Sequence, residues 1–260
     1  MKIIALLVFL FIMQFAARAG DPVKVYLAGD STCAAKLAEK RPETGWGEML
    51  QQHFDPSKVI IENHAQNGRS TKTFISEGRW QTVVDKLKKG DFVFVQFGHN
   101  DASKEKGERY TPPDDFRANL TRFIGDVREK KASIVLLTPV MRRRFDKDGN
   151  FVDSHGEYPN IVRTVAREYK VPLIDMHHKS EAVIKDYGVE GSRQLFLQLR
   201  PGENENYPKG IEDNTHFVPK GAEEMAKLVI EGIRENKLGL TKHLIGSEKS
   251  ARQARLPDCL

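Results

Sequence analysis

Five short apolar runs, at residues 23–28, 58–62, 92–97, 133–138 and 171–175, recur along the chain with amphipathic stretches between them. Two of them, Phe92-Val93-Phe94-Val95 and Ile134-Val135-Leu136-Leu137, are apolar at consecutive positions. A strand with one face in water alternates apolar and polar side chains, so unbroken runs imply strands covered on both faces, as in a parallel sheet. The stretches between read as helices. Thr111 suits an N-cap with Pro112 in the first turn, and Phe116, Leu120, Phe123, Ile124 and Val127 then form one stripe that ends before Lys130 and Lys131. The spacing predicts further helices over 47–53, 79–89 and 161–169, and a last one that starts at Pro219 and turns Ala222, Met225, Val229 and Ile233 inward. Strands alternating with helices build right-handed βαβ units. The expected fold is α/β, a three-layer α/β/α sandwich around a five-stranded parallel sheet. Two long irregular stretches, 141–159 and 188–214, interrupt the rhythm, and loops of that length usually carry function.

Composition adds boundaries. A chain of 260 residues suits one α/β domain. Lys2, the apolar stretch 3–15 and Ala17-Arg18-Ala19 read as a cleaved export signal over 1–19, too short to span a bilayer comfortably. The domain is then expected over 20–240, followed by a polar tail over 241–260. Localisation is expected to be secreted or periplasmic, without stable membrane insertion after cleavage. Losing Lys2 and Arg18 lowers the formal charge from +5 to +3. So small a balance argues against nucleic acid and suits an acidic partner better than a cationic one. Cys33 and Cys259 stand far apart, one beside the serine discussed next and one in the polar tail, and their pairing is disfavoured.

The chemistry centres on Ser31, in Gly29-Asp30-Ser31-Thr32 directly after the first apolar run. A serine at the mouth of a buried strand can offer its hydroxyl and its N–H to one carbonyl, where an acyl-transfer nucleophile must stand. His216 is the best base, and Asp213, three residues earlier, can accept its Nδ1 proton and leave Nε2 facing Ser31. His216 is expected on a loop before the Pro219 helix. Asn100 and Gly68, after the third and second strands, can donate from a side-chain amide and a backbone N–H to an oxyanion. With a 2-1-3-4-5 strand order these loops meet at the carboxyl edge. Each residue alone reads more blandly, as a turn or a cap; their co-occurrence carries the argument.

Other motifs are weaker. Arg142-Arg143-Arg144 can hold carboxylates in bidentate pairs, although a solvated charge run is the slightly favoured reading. His177-His178 lacks further ligands at a useful spacing and reads as a surface pair, and Asp146-Lys147-Asp148-Gly149 lacks the downstream Glu of a calcium loop. No metal or cofactor is expected. Gly-x-Ser-x-Gly and phosphate-binding glycine motifs are absent.

Gly29-Asp30-Ser31, Gly68, Asn100 and Asp213-x-x-His216 resemble, in order, the four blocks of the SGNH (GDSL) hydrolase superfamily. Gly45-Trp46-Gly47, Asn67-Gly68-Arg69-Ser70-Thr71, Gln96-Phe97-Gly98-His99-Asn100-Asp101, Thr138-Pro139 and Asp213-Asn214-Thr215-His216-Phe217 narrow the likeness to its rhamnogalacturonan acetylesterase branch. The likeness covers about residues 23–236, with Asn67 where that family often has a second small residue. It implies a flavodoxin-like fold, a Ser31/Asp213/His216 triad, an oxyanion hole of Ser31, Gly68 and Asn100, and acetyl removal from galacturonate in pectin. The partner would be an acetylated pectic polysaccharide or oligosaccharide, and the protein a monomer. Another acetylated polysaccharide such as xylan, a lipid or thioester, or a non-catalytic carbohydrate-binding role remain open alternatives at this point.

Overall fold

The five apolar runs form the five strands of one sheet in the computed structural model, which describes residues 21–246. They are β1 (Val23–Gly29), β2 (Val59–Asn63), β3 (Phe92–Gln96), β4 (Ser133–Leu137) and β5 (Leu173–Ile174), all parallel, in the order β2-β1-β3-β4-β5. The 2-1-3-4-5 order is the one under which the sequence blocks converge. The proposed signal over 1–19 and Cys259 lie outside the described residues.

Successive side chains on a strand point to opposite faces, so an unbroken apolar run feeds two cores at once. Val25 and Leu27 join Phe94, Val135 and Leu137 on one face, while Tyr26 and Ala28 join Val93, Val95 and Leu136 on the other. The first face is covered by α1 (Trp46–Met49), α6 (Met176–Gly191) and α7 (Pro219–Glu235), through Trp46, Met176, Ile184, Met225, Val229 and Ile233. The second is covered by α3 (Arg79–Lys86), α4 (Pro113–Glu129) and α5 (Tyr158–Glu168). The predicted stripe of α4 is all buried, and Trp80 lies against Phe123 with ring centroids 4.1 Å apart. Pro112, not Thr111, occupies the N-cap of α4, since Pro113 supplies the preset first turn.

Three elements depart from the sequence expectation. The stretch 188–214 is only partly irregular: β6 (Phe196–Leu199) pairs antiparallel with β7 (Ile211–Phe217), and Asp213 and His216 stand on β7 rather than on a loop. The seven residues of β7 are mostly polar and only partly buried, so no apolar run announces it. Helix α6 buries His177 and Ser180 among its inward groups, which breaks the apolar stripe a reader looks for. The six-residue α2 (Thr71–Ser76) is set by its cap: Ser70 N–H donates to Thr73 Oγ1 at 2.9 Å, and Thr73 N–H donates back to Ser70 Oγ. Over 241–246 the chain stays docked, with Leu244 buried and bridged to Phe54.

Helix α7 reaches the hairpin through a glycine. A Cβ built on Gly221 would lie 1.9 Å from the carbonyl oxygen of Leu195, the residue that leads into β6, so any side chain there must push the helix off the start of the strand that pairs with β7. Gly221→Ala is expected to lower stability by about 1–3 kcal/mol, read as a lower denaturation midpoint with an unchanged m-value.

Candidate active site

Four loops leave the carboxyl edge of the sheet, and buried polar groups fix each of them. After β1 the chain turns at Asp30, whose Oδ1 accepts from Thr32 N–H at 2.9 Å and from Thr32 Oγ1 at 2.8 Å. The Asp30 carbonyl accepts from Cys33 and Ala34, which turns the half-buried Ser31 outward at the strand's end. The Gly45-Trp46-Gly47 segment clamps this turn from behind: Trp46 N–H donates to the Thr32 carbonyl, and its Nε1–H to Gln96 Oε1 at the end of β3. Burial raises the Asp30 carboxyl above the usual range, opposed by its bonds from Thr32. The Cys33 thiol is 1% exposed, and burial pushes it well above its ordinary value.

The loops after β2 and β3 are tied together by Asp101, which is fully buried. Its Oδ1 accepts from Thr71 N–H at 2.9 Å and Thr71 Oγ1 at 2.6 Å, and burial drives its carboxyl up to about 7. Asn100 Nδ2 donates to the Arg69 carbonyl at 3.0 Å. One amide hydrogen thereby orients the other, because the amide is planar. Gly68 adopts φ 75°, a conformation that glycine takes freely, and its N–H donates to no described residue; neither does the N–H of Ser31.

The hairpin brings the remaining parts. His216 Nε2 lies 2.9 Å from Ser31 Oγ, and His216 Nδ1 lies 2.6 Å from Asp213 Oδ2. Asp213 Oδ1 accepts from the backbone N–H of Thr215 and His216, at 2.7 and 3.0 Å. Burial would raise the Asp213 carboxyl, but these bonds and the imidazole outweigh it and hold it below the usual range. Ser31, Asp213 and His216 thus form one hydrogen-bonded chain. Ser31, Gly68, Asn100 and His216 border a cavity of about 350 Å³. A larger hollow of about 1370 Å³, lined by segments 190–203 and 209–212, contains none of them.

Sequence reasoning missed several neighbours. Lys36, with a fully buried side chain, donates to the Ser31 carbonyl and to Asn67 Oδ1, and pairs with Glu43 at 2.8 Å. This ammonium joins the serine turn to the Gly68 turn and gives Asn67 its partner. Glu43 Oε1 is 4.0 Å from His216 Nε2. Lys106 and Arg109 border the same cavity. Nothing in the spacing marks Lys36, and Lys106 and Arg109 stand in a charged loop that reads as solvated surface.

The arginine triplet divides. Arg142 borders the Ser31 cavity and donates to the His99 carbonyl and to Ser154 Oγ. Arg143 turns inward onto Ser192 Oγ, Asn214 Oδ1 and the Val189 carbonyl, steadying β7 beside Asp213. Arg144 is exposed, on the wall of an adjoining cavity.

His177 corrects the surface reading of His177-His178: it is 5% exposed, while His178 stays outside. The 141–159 loop supplies the companions that local spacing could not show. Asp153 accepts between His155 Nδ1 at 3.3 Å and His177 Nε2 at 3.1 Å, and His155 Nε2 faces His99 Nδ1 at 3.4 Å. Burial lowers His155 to about 4. Asp153, His155 and His177 lie close enough to hold a cation. However, Arg163 Nη2 faces His177 Nδ1 at 3.2 Å, which makes Nδ1 an acceptor and keeps the proton on Nε2, toward Asp153. A metal at Nε2 would have to displace that proton and turn Nδ1–H against a guanidinium.

The sequence profile of the GDSL-like lipase/acylhydrolase family matches residues 27–223. The chain belongs to that family. Membership makes it a serine-type ester hydrolase. Among curated family members it is 44% identical to rhamnogalacturonan acetylesterase RhgT of Bacillus subtilis, over 87% of this chain and 96% of that protein. It is 41% identical to the probable rhamnogalacturonan acetylesterase YesY of the same organism, over 85% and 97%. Solved structures share the fold: Bacillus subtilis YxiM has a TM-score of 0.72 at 24% identity, covering 84% of this chain and 58% of that one. Axe2, an acetylxylan esterase from Geobacillus stearothermophilus, has a TM-score of 0.59 at 19% identity, covering 82% and 95%.

The buried Asp101 gives a stability test with a definite sign. A carboxyl raised to about 7 in the fold stays protonated while the unfolded chain ionises, so the wild type loses stability as pH rises from about 4 to 7. Asp101→Asn keeps an acceptor for Thr71 without the ionisation. Its unfolding free energy relative to wild type is expected to improve by about 2 kcal/mol between pH 5 and pH 8. A difference that stays constant with pH would contradict this assignment.

Proposed function

We propose that the protein is an exported carbohydrate esterase that removes acetyl groups from rhamnogalacturonan-type pectin through an acyl-enzyme on Ser31. The observation that carries the reading is the unbroken chain from Asp213 through His216 to the Ser31 hydroxyl, in a cavity that also holds Gly68 and Asn100. The relatives at 44% and 41% identity, matched over nearly their whole length, support the pectic substrate.

Ser31 Oγ attacks the acetyl carbonyl carbon while His216 Nε2 takes the hydroxyl proton. Asp213 holds the Nδ1 proton, so that Nε2 has a lone pair to offer, and balances the imidazolium that forms. The N–H groups of Ser31 and Gly68 and the second Asn100 amide hydrogen receive the oxyanion. Collapse breaks the bond to the sugar oxygen, which leaves as a hydroxyl with the proton from His216. Water then repeats the sequence on the acetyl-serine, releasing acetate and restoring both groups.

The cavity favours a short acyl group on a polar alcohol. Among the described residues no aliphatic side chain borders it, so a long acyl chain would find no apolar wall there, which counts against lipid esters. For export, the reading rests on the charged start, apolar core and Ala17-Arg18-Ala19 of the leader. No described helix is long and apolar enough to cross a membrane.

Acetate release from acetylated rhamnogalacturonan, acetylxylan and a long-chain ester tests the substrate, with the first expected to be preferred. Ser31→Ala is expected to lower release by about 10³- to 10⁶-fold with the fold intact by circular dichroism. Near-normal release would remove the mechanism. Because the Asp213 carboxyl is held below the usual range, its protonation should not contribute to the acid limb of kcat/KM, which should fall with a slope of one. A slope of two would mean that Asp213 titrates within that limb.

A further inference from the structure

The Ser31 cavity is lined by positive charge that the described residues do not pair. Lys106 and Arg109, on the loop that follows Asn100, and Arg142, after β4, all border it. Among the described residues none of the three forms an ion pair. Arg142 spends its guanidinium on two neutral acceptors, His99 C=O and Ser154 Oγ. The one carboxylate on the cavity wall, Glu43, is already matched by the buried Lys36 behind it. Elsewhere on the surface partly buried arginines take carboxylates, as Arg69 and Arg79 do with Glu77.

The charge continues past the cavity. A neighbouring hollow of about 610 Å³ shares Lys106 and Arg142 and adds Arg144, with Glu105 as its one acidic residue. Arg144 forms no ion pair with a described residue. Arg109 also stands at a telling position: a Cβ on Gly68 would lie 2.9 Å from its Nη1, so the guanidinium overhangs the Gly68 turn on the cavity wall. Gathering like charges in a concave site disfavours the empty protein and raises the local concentration of anions. Arginine forks suit carboxylates in particular.

We propose that Lys106, Arg109 and Arg142 form a carboxylate-binding subsite beside Ser31, continued by Arg144 in the adjoining hollow, which recognises successive uronate carboxylates of an acidic sugar chain. The proposal rests on the esterase reading of Ser31 for its purpose, but not for its test. Arg142 also supports the His99–Asn100 loop, so Lys106 and Arg109, both exposed, are the positions to change.

Unacetylated trigalacturonate is the probe, and its binding to the full-length Ser31→Ala protein is measured by calorimetry, where turnover plays no part. Lys106→Gln with Arg109→Gln is expected to weaken binding by about 10-fold or more, and added salt to weaken it in the starting protein. Lys227→Gln, a cation of α7 away from both hollows, should leave it unchanged. Neutral xylotriose should bind far more weakly than the acidic trisaccharide. Equal binding of the two sugars, or an unchanged dissociation constant in the double variant, would overturn the subsite. Loss of acetate release from every polysaccharide, with trigalacturonate still bound through Lys106 and Arg109, would count against the esterase reading alone.

Discussion

The rule that a buried polar group must find a hydrogen-bond partner governs this molecule at the carboxyl edge of its sheet. Both faces of the sheet are sealed by apolar packing, so the loops can be specified only where the strands end, and there they are held by carboxyl groups. Asp30 gathers the serine turn, Asp101 joins the second and third loops, and Asp213 gathers the backbone around its own histidine. Each accepts from main-chain N–H groups within its loop or the next. Apolar contacts would tolerate a shift of half an ångström here; bidentate and paired hydrogen bonds do not.

Charge is distributed on the same plan. Lys36 is withdrawn from water and satisfied on three sides, by Ser31, Asn67 and Glu43, so it acts as a fastening within the protein. Lys106 and Arg109 are left facing outward. Two lysines of the same formal charge thus have opposite uses, and burial with partner count separates them where composition does not. The chain from His99 through His155 and Asp153 to His177 follows the first plan: it ties the loop carrying Asn100 to the 141–159 segment and to α6.

Much of this was legible in the sequence because the relevant signals are local. Consecutive apolar residues at 92–95 and 134–137 can only serve a strand buried twice, and they predicted the parallel sheet. Ser31, Gly68, Asn100, Asp213 and His216 were singled out as candidates because each follows a strand or precedes a helix in a fixed order, and the structure brings them to one place. What was hidden depends on distance or on mixed environments. His177 seemed exposed because its partners, Asp153 and His155, come from another loop. Strand β7 seemed irregular because its exposed carboxylate and amide positions leave no apolar run. Lys36 carries no local mark, since a lysine is presumed to reach water until the fold surrounds it.

Cys33 turns the closeness of packing behind the serine into a gauge. Its sulfur is sealed under the strand end and its thiol resists ionisation, so an alkylating reagent cannot reach this sulfur while the edge is closed. Modification must wait for the strand end to come apart, and its pace counts those excursions rather than any property of the sulfur. The residue next but one to the hydroxyl therefore keeps time for the breathing of the scaffold.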